Sequence, residues 1–112
     1  MNKNHRDYLS DMQMKEGHFL YTSESVCLGH PDKLCDYISD TILDACLEQD
    51  TDAKVACETC VKNNLCMVFG EINTTAKLNV EQLVRNAVKT VGYDDIHKGM
   101  DYKSMTVIVH LD

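Results

Sequence analysis

The sequence contains little of what marks several common classes of protein. Proline occurs once, and basic residues are outnumbered by acidic ones, 11 against 18 in 112 residues. One proline together with 44% hydrophobic residues excludes a disordered or collagen-like chain. The net charge of −7 argues against nucleic acid or an anionic membrane as a partner. No apolar run approaches the roughly 18 residues that a membrane-spanning helix needs.

No signal peptide is visible in the first residues of the sequence. Residues 1–16 are polar and mixed in charge, so we expect a flexible polar tail at 1–17 and a single domain at 18–112. The six cysteines mostly occupy positions that suit a small apolar residue, which favours free thiols in a reducing cytoplasm over a disulfide scaffold. They are Cys27, Cys35, Cys46, Cys57, Cys60 and Cys66.

Hydrophobic periodicity predicts four strands and two helices. In order, we expect a strand at His18–Ser23, a helix from Pro31 to about Gln49, strands at Lys54–Lys62 and Leu65–Ile72, a helix from the Asn79 cap to Gly92, a polar connection at Tyr93–Lys103 and a strand at Ser104–Leu111. This β-α-β-β-α-β order predicts an α+β two-layer sandwich with two helices on one face of a four-stranded sheet. The apolar run of Leu65–Ile72 is typical of a strand buried on both faces. The bare face of the sheet is expected to meet another domain or subunit.

The segment Gly29–Lys33 is the densest cluster of candidate functional residues. A helix that begins here presents unpaired N–H groups and a positive partial charge, which suit a phosphate. His30 can donate a hydrogen bond to a phosphate or a leaving oxygen, Asp32 can hold Mg²⁺, and Lys33 adds positive charge or points to solvent. On spacing alone, the interpretation of His30 as a helix cap and of Asp32 as a partner of the helix dipole is favoured.

Glu58 and Glu71 form a second candidate site. With Asn63-Asn64 as a two-residue turn, Glu58 pairs with Phe69, and Glu71 becomes its diagonal neighbour on the same face, roughly 7 Å away. Carboxylates on apolar strands are costly without a cation, so a cation or ammonium site is one interpretation. A position at a wet strand end is the other, and the pattern does not choose between them.

The remaining candidates have simpler interpretations. Cys57 and Cys60 have the spacing of a metal or redox pair, but residues three apart on a strand point to opposite faces and no second ligand pair is evident. We therefore interpret them as apolar filler. The histidines at 5, 18 and 97 are expected to be solvated, as is the row of aspartates at 36, 40 and 44. His110 is a candidate to face a partner.

Several collinear motifs resemble the amino-terminal domain of the S-adenosylmethionine synthetase (methionine adenosyltransferase) family. The resemblance runs from about Phe19 to the end of the chain. The motifs are Phe19–Val26, Gly29–Lys33, Asp36 with Ser39-Asp40, Lys54–Thr59, Gly70–Ile72, Gly92–Asp95 and Lys98–Lys103.

This resemblance implies an enzyme that joins the methionine sulfur to C5′ of ATP and cleaves the displaced triphosphate to pyrophosphate and phosphate. By motif, His30 corresponds to the catalytic histidine beside the triphosphate, Asp32 to a Mg²⁺ ligand and Lys33 to the triphosphate site. Glu58 corresponds to the K⁺ ligand and Glu71 to the methionine-binding glutamate, while Glu24 matches a Mg²⁺ position of some members. The family uses two Mg²⁺ per site and K⁺.

The resemblance also implies a cytoplasmic homodimer or dimer of dimers, joined through the flat sheet face, with an active site shared between subunits. Family chains have three such domains, so we expect residues 18–112 alone to carry part of a site and to be inactive. Two other hypotheses are a non-catalytic dimerisation or regulatory module that uses the bare sheet face, and a cysteine-based metal or redox protein.

Overall fold

Helix α1 begins at the only proline of the chain. Pro31 occupies the first position of α1 (Pro31–Gln49), where its missing N–H removes no helical hydrogen bond. Leu34, Ile38 and Ile42 follow at four-residue spacing and are buried. The predicted helix from Pro31 to about Gln49 is confirmed.

The computed structural model describes residues 16–112. After α1 come β1 (Lys54–Lys62), β2 (Leu65–Asn73), α2 (Val80–Val91), β3 (Asp94–Asp95), a 3₁₀ turn (Ile96–Lys98), β4 (Met100–Asp101) and β5 (Thr106–Leu111). The predicted caps of α2 are confirmed. The Asn79 side chain accepts a hydrogen bond from the Gln82 N–H at 3.1 Å, and Gly92 ends the helix with a φ of 106°.

A tight hairpin joins β1 and β2. Asn63 adopts a φ of 51°, a conformation that asparagine tolerates better than most residues. Lys62 therefore pairs with Leu65, and the whole predicted register is confirmed along the antiparallel pair. Strand β5 lies parallel to β2 on its other side, which gives a sheet of order β1-β2-β5.

The predicted first strand is wrong, and the sheet has three strands instead of four. Residues His18–Ser23 form no strand, and the side chains of Phe19 and Tyr21 are 81% and 77% exposed. Strand preference reflects packing on a pleated surface, and this segment has no such surface among the described residues. Residues 1–15 of the predicted tail lie outside the described residues, so the tail stays a prediction.

Both helices pack on one face of the sheet, as predicted. The core between them combines residues of α1, α2, β2 and the segment before β5. Its buried members are Leu34, Ile38, Ile42, Cys46, Cys66, Val68, Val84, Ala87, Val88, Met100 and Met105. The expectation that β2 is buried on both faces is wrong, because only Cys66 and Val68 on the helix side are buried and Phe69 on the other side is 40% exposed. The open face is thus partly apolar.

The predicted polar connection after α2 is more ordered than its composition indicates. Strands β3 and β4 pair within it as a two-stranded hairpin, and Met100 is buried in the core. Arg85 of α2 fixes this connection by donating hydrogen bonds to the carbonyls of Tyr102 at 2.7 Å and Met105 at 3.0 Å. Among the described residues, no helix has the length and hydrophobicity needed to cross a membrane.

Candidate functional site

His30 caps α1, as the structural interpretation of the sequence predicts. Its ring Nδ1 accepts a hydrogen bond from the backbone N–H of Asp32 at 3.2 Å. The backbone N–H of His30 donates to the Cys27 carbonyl at 3.0 Å. A neutral imidazole that accepts at Nδ1 carries its proton at Nε2. The half-buried ring therefore combines the cap with a donor at Nε2 for an external group.

The first turn of α1 places charged side chains beside this donor. Asp32 and Lys33 are both exposed, and the Asp32 carboxylate forms no ion pair with another described residue. The positive end of the helix dipole lies at the same place. This end of the helix can therefore bind an anion together with a cation that is bound to that anion.

Glu58 and Glu71 lie on the open face of the sheet, as the predicted register requires. Glu58 is opposite Phe69 and Glu71 is opposite Ala56, which makes the two glutamates diagonal neighbours. Both side chains are exposed. Glu58 lies at the middle of β1, whereas Glu71 lies near the end of β2, third from its last residue.

Glu71 lines a groove of about 550 Å³ at the open end of the β1–β2 pair. Lys54, Asn73 and Asp112 contribute the other polar side chains of this groove. Gly70 makes the close strand approach possible here. A Cβ at this position would lie 2.0 Å from the Ala56 carbonyl oxygen.

The two candidate sites are far apart within one chain. Pro31 at the start of α1 shares a cavity of about 240 Å³ with Lys62 and Asn63, at the turn end of the hairpin. Glu58 lies four residues back along β1, and Ala56, the partner of Glu71, lies six residues back. At about 3.3 Å per residue these separations are roughly 13 and 20 Å. The glutamates also lie on the sheet face opposite α1, so one chain does not bring both sets together.

The other sequence candidates form no cluster. Glu24 is exposed in the segment before α1, and His18 and His97 are exposed, whereas His5 lies outside the described residues. His110 lies on the open face beside Phe69. Among residues 16–112, no group of three or more potential metal-ligating side chains comes together.

The cysteines are free thiols, as predicted. Cys57 faces the helices and Cys60 the open face, which agrees with the filler interpretation. Burial raises the pKa of the Cys57 thiol and raises that of Cys66 to about 12. These thiols are protonated near neutral pH and are therefore poor nucleophiles.

Two features near the candidate sites escaped the sequence patterns. The Tyr93 hydroxyl donates a hydrogen bond to the Gly29 carbonyl, beside His30, across 64 residues of chain. Gly70 has a φ of 138° and sits against β1. Both features depend on contacts between distant segments. Local periodicity therefore gives no signal for the tyrosine contact, and for the close strand approach the only signal is the glycine itself.

A comparison with protein-family models identifies the family of this domain. Residues 18–112 match the model described as the N-terminal domain of S-adenosylmethionine synthetase. The matched region contains all the described candidate residues and both helices.

Proposed function

Because the chain belongs to the S-adenosylmethionine synthetase family through the domain at residues 18–112, we propose that it supplies part of a methionine adenosyltransferase active site. ATP and L-methionine are the proposed substrates. The family match supports this proposal together with the pairing of an Nε2 donor and an exposed Asp32 carboxylate at the start of α1. In the reaction, the methionine sulfur bonds to C5′ of ATP while the C5′–O bond breaks and the triphosphate leaves.

The start of α1 is the proposed triphosphate site. His30 donates from Nε2 to the oxygen that leaves C5′, and Lys33 adds positive charge beside the phosphates. The exposed carboxylate of Asp32 fits Mg²⁺, which takes one or two protein carboxylates together with phosphate oxygens. When bound, Mg²⁺ neutralises charge on the triphosphate. Glu24 is a further candidate Mg²⁺ ligand.

The open sheet face is the proposed methionine and K⁺ site. Glu71 accepts hydrogen bonds from the methionine ammonium group in the groove that it lines. Glu58 would hold K⁺ on the same face. Both carboxylates are exposed and point away from the helices, which makes them available to a partner.

The separation of the two sets supports an active site shared between two subunits. Within one chain they are on different layers, so a complete site requires a second copy that places its α1 start against this sheet face. Phe69, Ile108 and Leu65 give that face an apolar centre, since each is 38–44% exposed. We infer a cytoplasmic homodimer or dimer of dimers joined through this face.

The proposal is tested by substitution in the complete protein that contains this chain. His30→Asn and Asp32→Asn should each lower kcat by about 10²–10³-fold, the range for loss of one transition-state contact. Asp44→Asn is the matched control, since Asp44 is an exposed carboxylate further along α1. Unchanged rates in both site variants would refute the proposed roles.

A second test uses the 112-residue chain alone. Purified chain with ATP, methionine, Mg²⁺ and K⁺ should form no S-adenosylmethionine above a control without protein, because even two copies of this domain are proposed to supply only part of the site. Product formation would contradict the proposal of an incomplete site.

The open sheet face also supports a second candidate function, a non-catalytic dimerisation module. This alternative predicts a concentration-dependent dimer without affinity for ATP or methionine. Both functions predict a dimer, so measured binding of ATP and methionine to the complete protein separates them.

A further inference from the structure

The peptide group between Gly29 and His30 is held from both sides. The Tyr93 hydroxyl donates to the Gly29 carbonyl at 2.5 Å, and the His30 N–H donates to the Cys27 carbonyl at 3.0 Å. The carbonyl of one residue and the N–H of the next lie in one rigid plane. The two hydrogen bonds together therefore fix the orientation of the plane from which the His30 side chain begins.

Tyr93 is itself firmly anchored. Its N–H donates to the Val88 carbonyl at the end of α2, and its carbonyl accepts from the Tyr102 N–H. Arg85 holds the Tyr102 carbonyl in turn, and the Tyr93 ring packs against the core. The hydroxyl thus extends from a rigid part of the fold.

The segment before α1 has little else to position it. Within the described residues, the remaining hydrogen bonds of residues 17–30 are local ones, to Glu16, Asp32 and Leu34 or within the segment. The segment from His18 to Leu28 is largely exposed and contains no strand. Among the residues described, the bond from the Tyr93 hydroxyl is therefore the single long-range hydrogen bond to the loop that carries His30.

Gly29 has little free space on the side of Tyr93. A Cβ at Gly29 would lie 3.3 Å from the Tyr93 hydroxyl oxygen, closer than an ordinary contact. The tyrosine ring therefore lies directly against the backbone that it holds, and the loop can shift only if this contact opens.

We propose that Tyr93 is a positioning residue for His30, which it orients through the Gly29–His30 peptide. The inference rests on the proposed function, because it gives His30 its contact with the leaving oxygen. Tyr93 touches no substrate in this account. Its effect is confined to the angle and position from which Nε2 reaches that oxygen.

The experiment is a double-mutant cycle in the complete protein. Tyr93→Phe removes the hydroxyl and keeps the ring, and it should lower kcat about 10–100-fold, as a small misplacement of a reacting group does. The KM for methionine should stay unchanged, since Glu71 lies on the other sheet face. In the His30→Asn background, Tyr93→Phe should cause no further loss, because the two residues act as one unit.

Tyr37→Phe is the matched control. Tyr37 is a half-buried tyrosine of α1 that also packs against the core, and its hydroxyl has no hydrogen bond with a described residue. This variant should keep its kcat. Amide hydrogen exchange should be faster at His30 in Tyr93→Phe and unchanged in α2, which separates a loosened loop from general destabilisation.

Three results would overturn the inference. They are an unchanged kcat in Tyr93→Phe, a loss that multiplies with that of His30→Asn, and exchange at His30 that does not differ from the native protein. If His30→Asn itself keeps full activity, the proposed function of His30 fails as well, and this outcome is distinct because it appears in the single variant.

Discussion

Replacing Gly70 by alanine should separate the two strands that carry the candidate glutamates. Gly70 has a φ of 138°, and its Cβ would lie 2.0 Å from the oxygen and 3.1 Å from the carbon of the Ala56 carbonyl. An ordinary contact between a Cβ and another heavy atom is 3.4–4 Å, so the oxygen is the closer obstacle. The strands must therefore move apart by more than about 1 Å, which breaks the ladder hydrogen bonds beside Glu71.

The expected cost follows from two contributions. The glycine-only backbone conformation costs an alanine about 1–3 kcal/mol. Loss of two neighbouring ladder hydrogen bonds adds about 0.5–1.5 kcal/mol each. The free energy of unfolding should thus fall by about 2–6 kcal/mol. This is a large part of the total free energy of unfolding of a typical domain, which is about 5–15 kcal/mol.

Gly92→Ala is the matched control for the backbone contribution. Gly92 also has a positive φ, 106°, but a Cβ there would meet no atom within 4 Å. Its cost should be about 1–2 kcal/mol, the penalty of the left-handed conformation alone. Urea unfolding of both variants, followed by circular dichroism, measures the difference. A loss for Gly70→Ala no larger than that for Gly92→Ala would refute the steric reasoning.

Two further predictions concern titratable groups. Hydrogen bonds from the Thr75 N–H and the Thr74 hydroxyl lower the pKa of Asp50, so this carboxylate stabilises the fold above its unfolded pKa and loses that effect as the pH falls through the folded one. Asp50→Asn should therefore destabilise at neutral pH, and its difference from the native chain should shrink below about pH 4, as acid-dependent unfolding curves can measure; a constant difference would contradict this. In the folded protein, iodoacetamide in a mildly alkaline buffer should modify the exposed Cys27 and Cys60. It should leave Cys66 unmodified, because burial raises the pKa of the Cys66 thiol to about 12. Peptide mass spectrometry maps the sites, and early modification of Cys66 would contradict the burial.

Elements with local signals could be predicted from the sequence. Pro31 marks the start of α1, the Asn79 cap and Gly92 bound α2, and Asn63 sets the hairpin turn, from which the register to Glu58 and Glu71 follows. Each of these signals acts within a few residues of the structure that it determines, so one sequence is sufficient to detect it.

Features that depend on distant partners could not be predicted in this way. His18–Ser23 has the composition of a strand, but its formation depends on a sheet edge that the composition does not describe. The exposure of Phe69 depends on which layers cover β2, and an apolar run does not tell one covered face from two. The contact between Tyr93 and Gly29 likewise joins segments that are 64 residues apart.

The sequence predicts individual candidate residues, whose roles stay predictions, but it does not predict how they are arranged. The register places Glu58 and Glu71 together on one face, as expected, while the start of α1 lies in the other layer at the far end of β1. This arrangement follows from the packing of α1 on the sheet, and it makes a second subunit necessary to the proposed site.

The most direct test of a shared site is activity in mixed dimers of two inactive variants. His30→Asn and Glu71→Gln subunits of the complete protein, each first shown to have little activity alone, are dissociated, mixed in equal amounts and reassembled. If each site combines His30 of one subunit with Glu71 of the other, every mixed dimer has one intact site, and about a quarter of the native rate should return. If mixed dimers form, as native mass spectrometry can verify, and remain inactive, the shared site is contradicted.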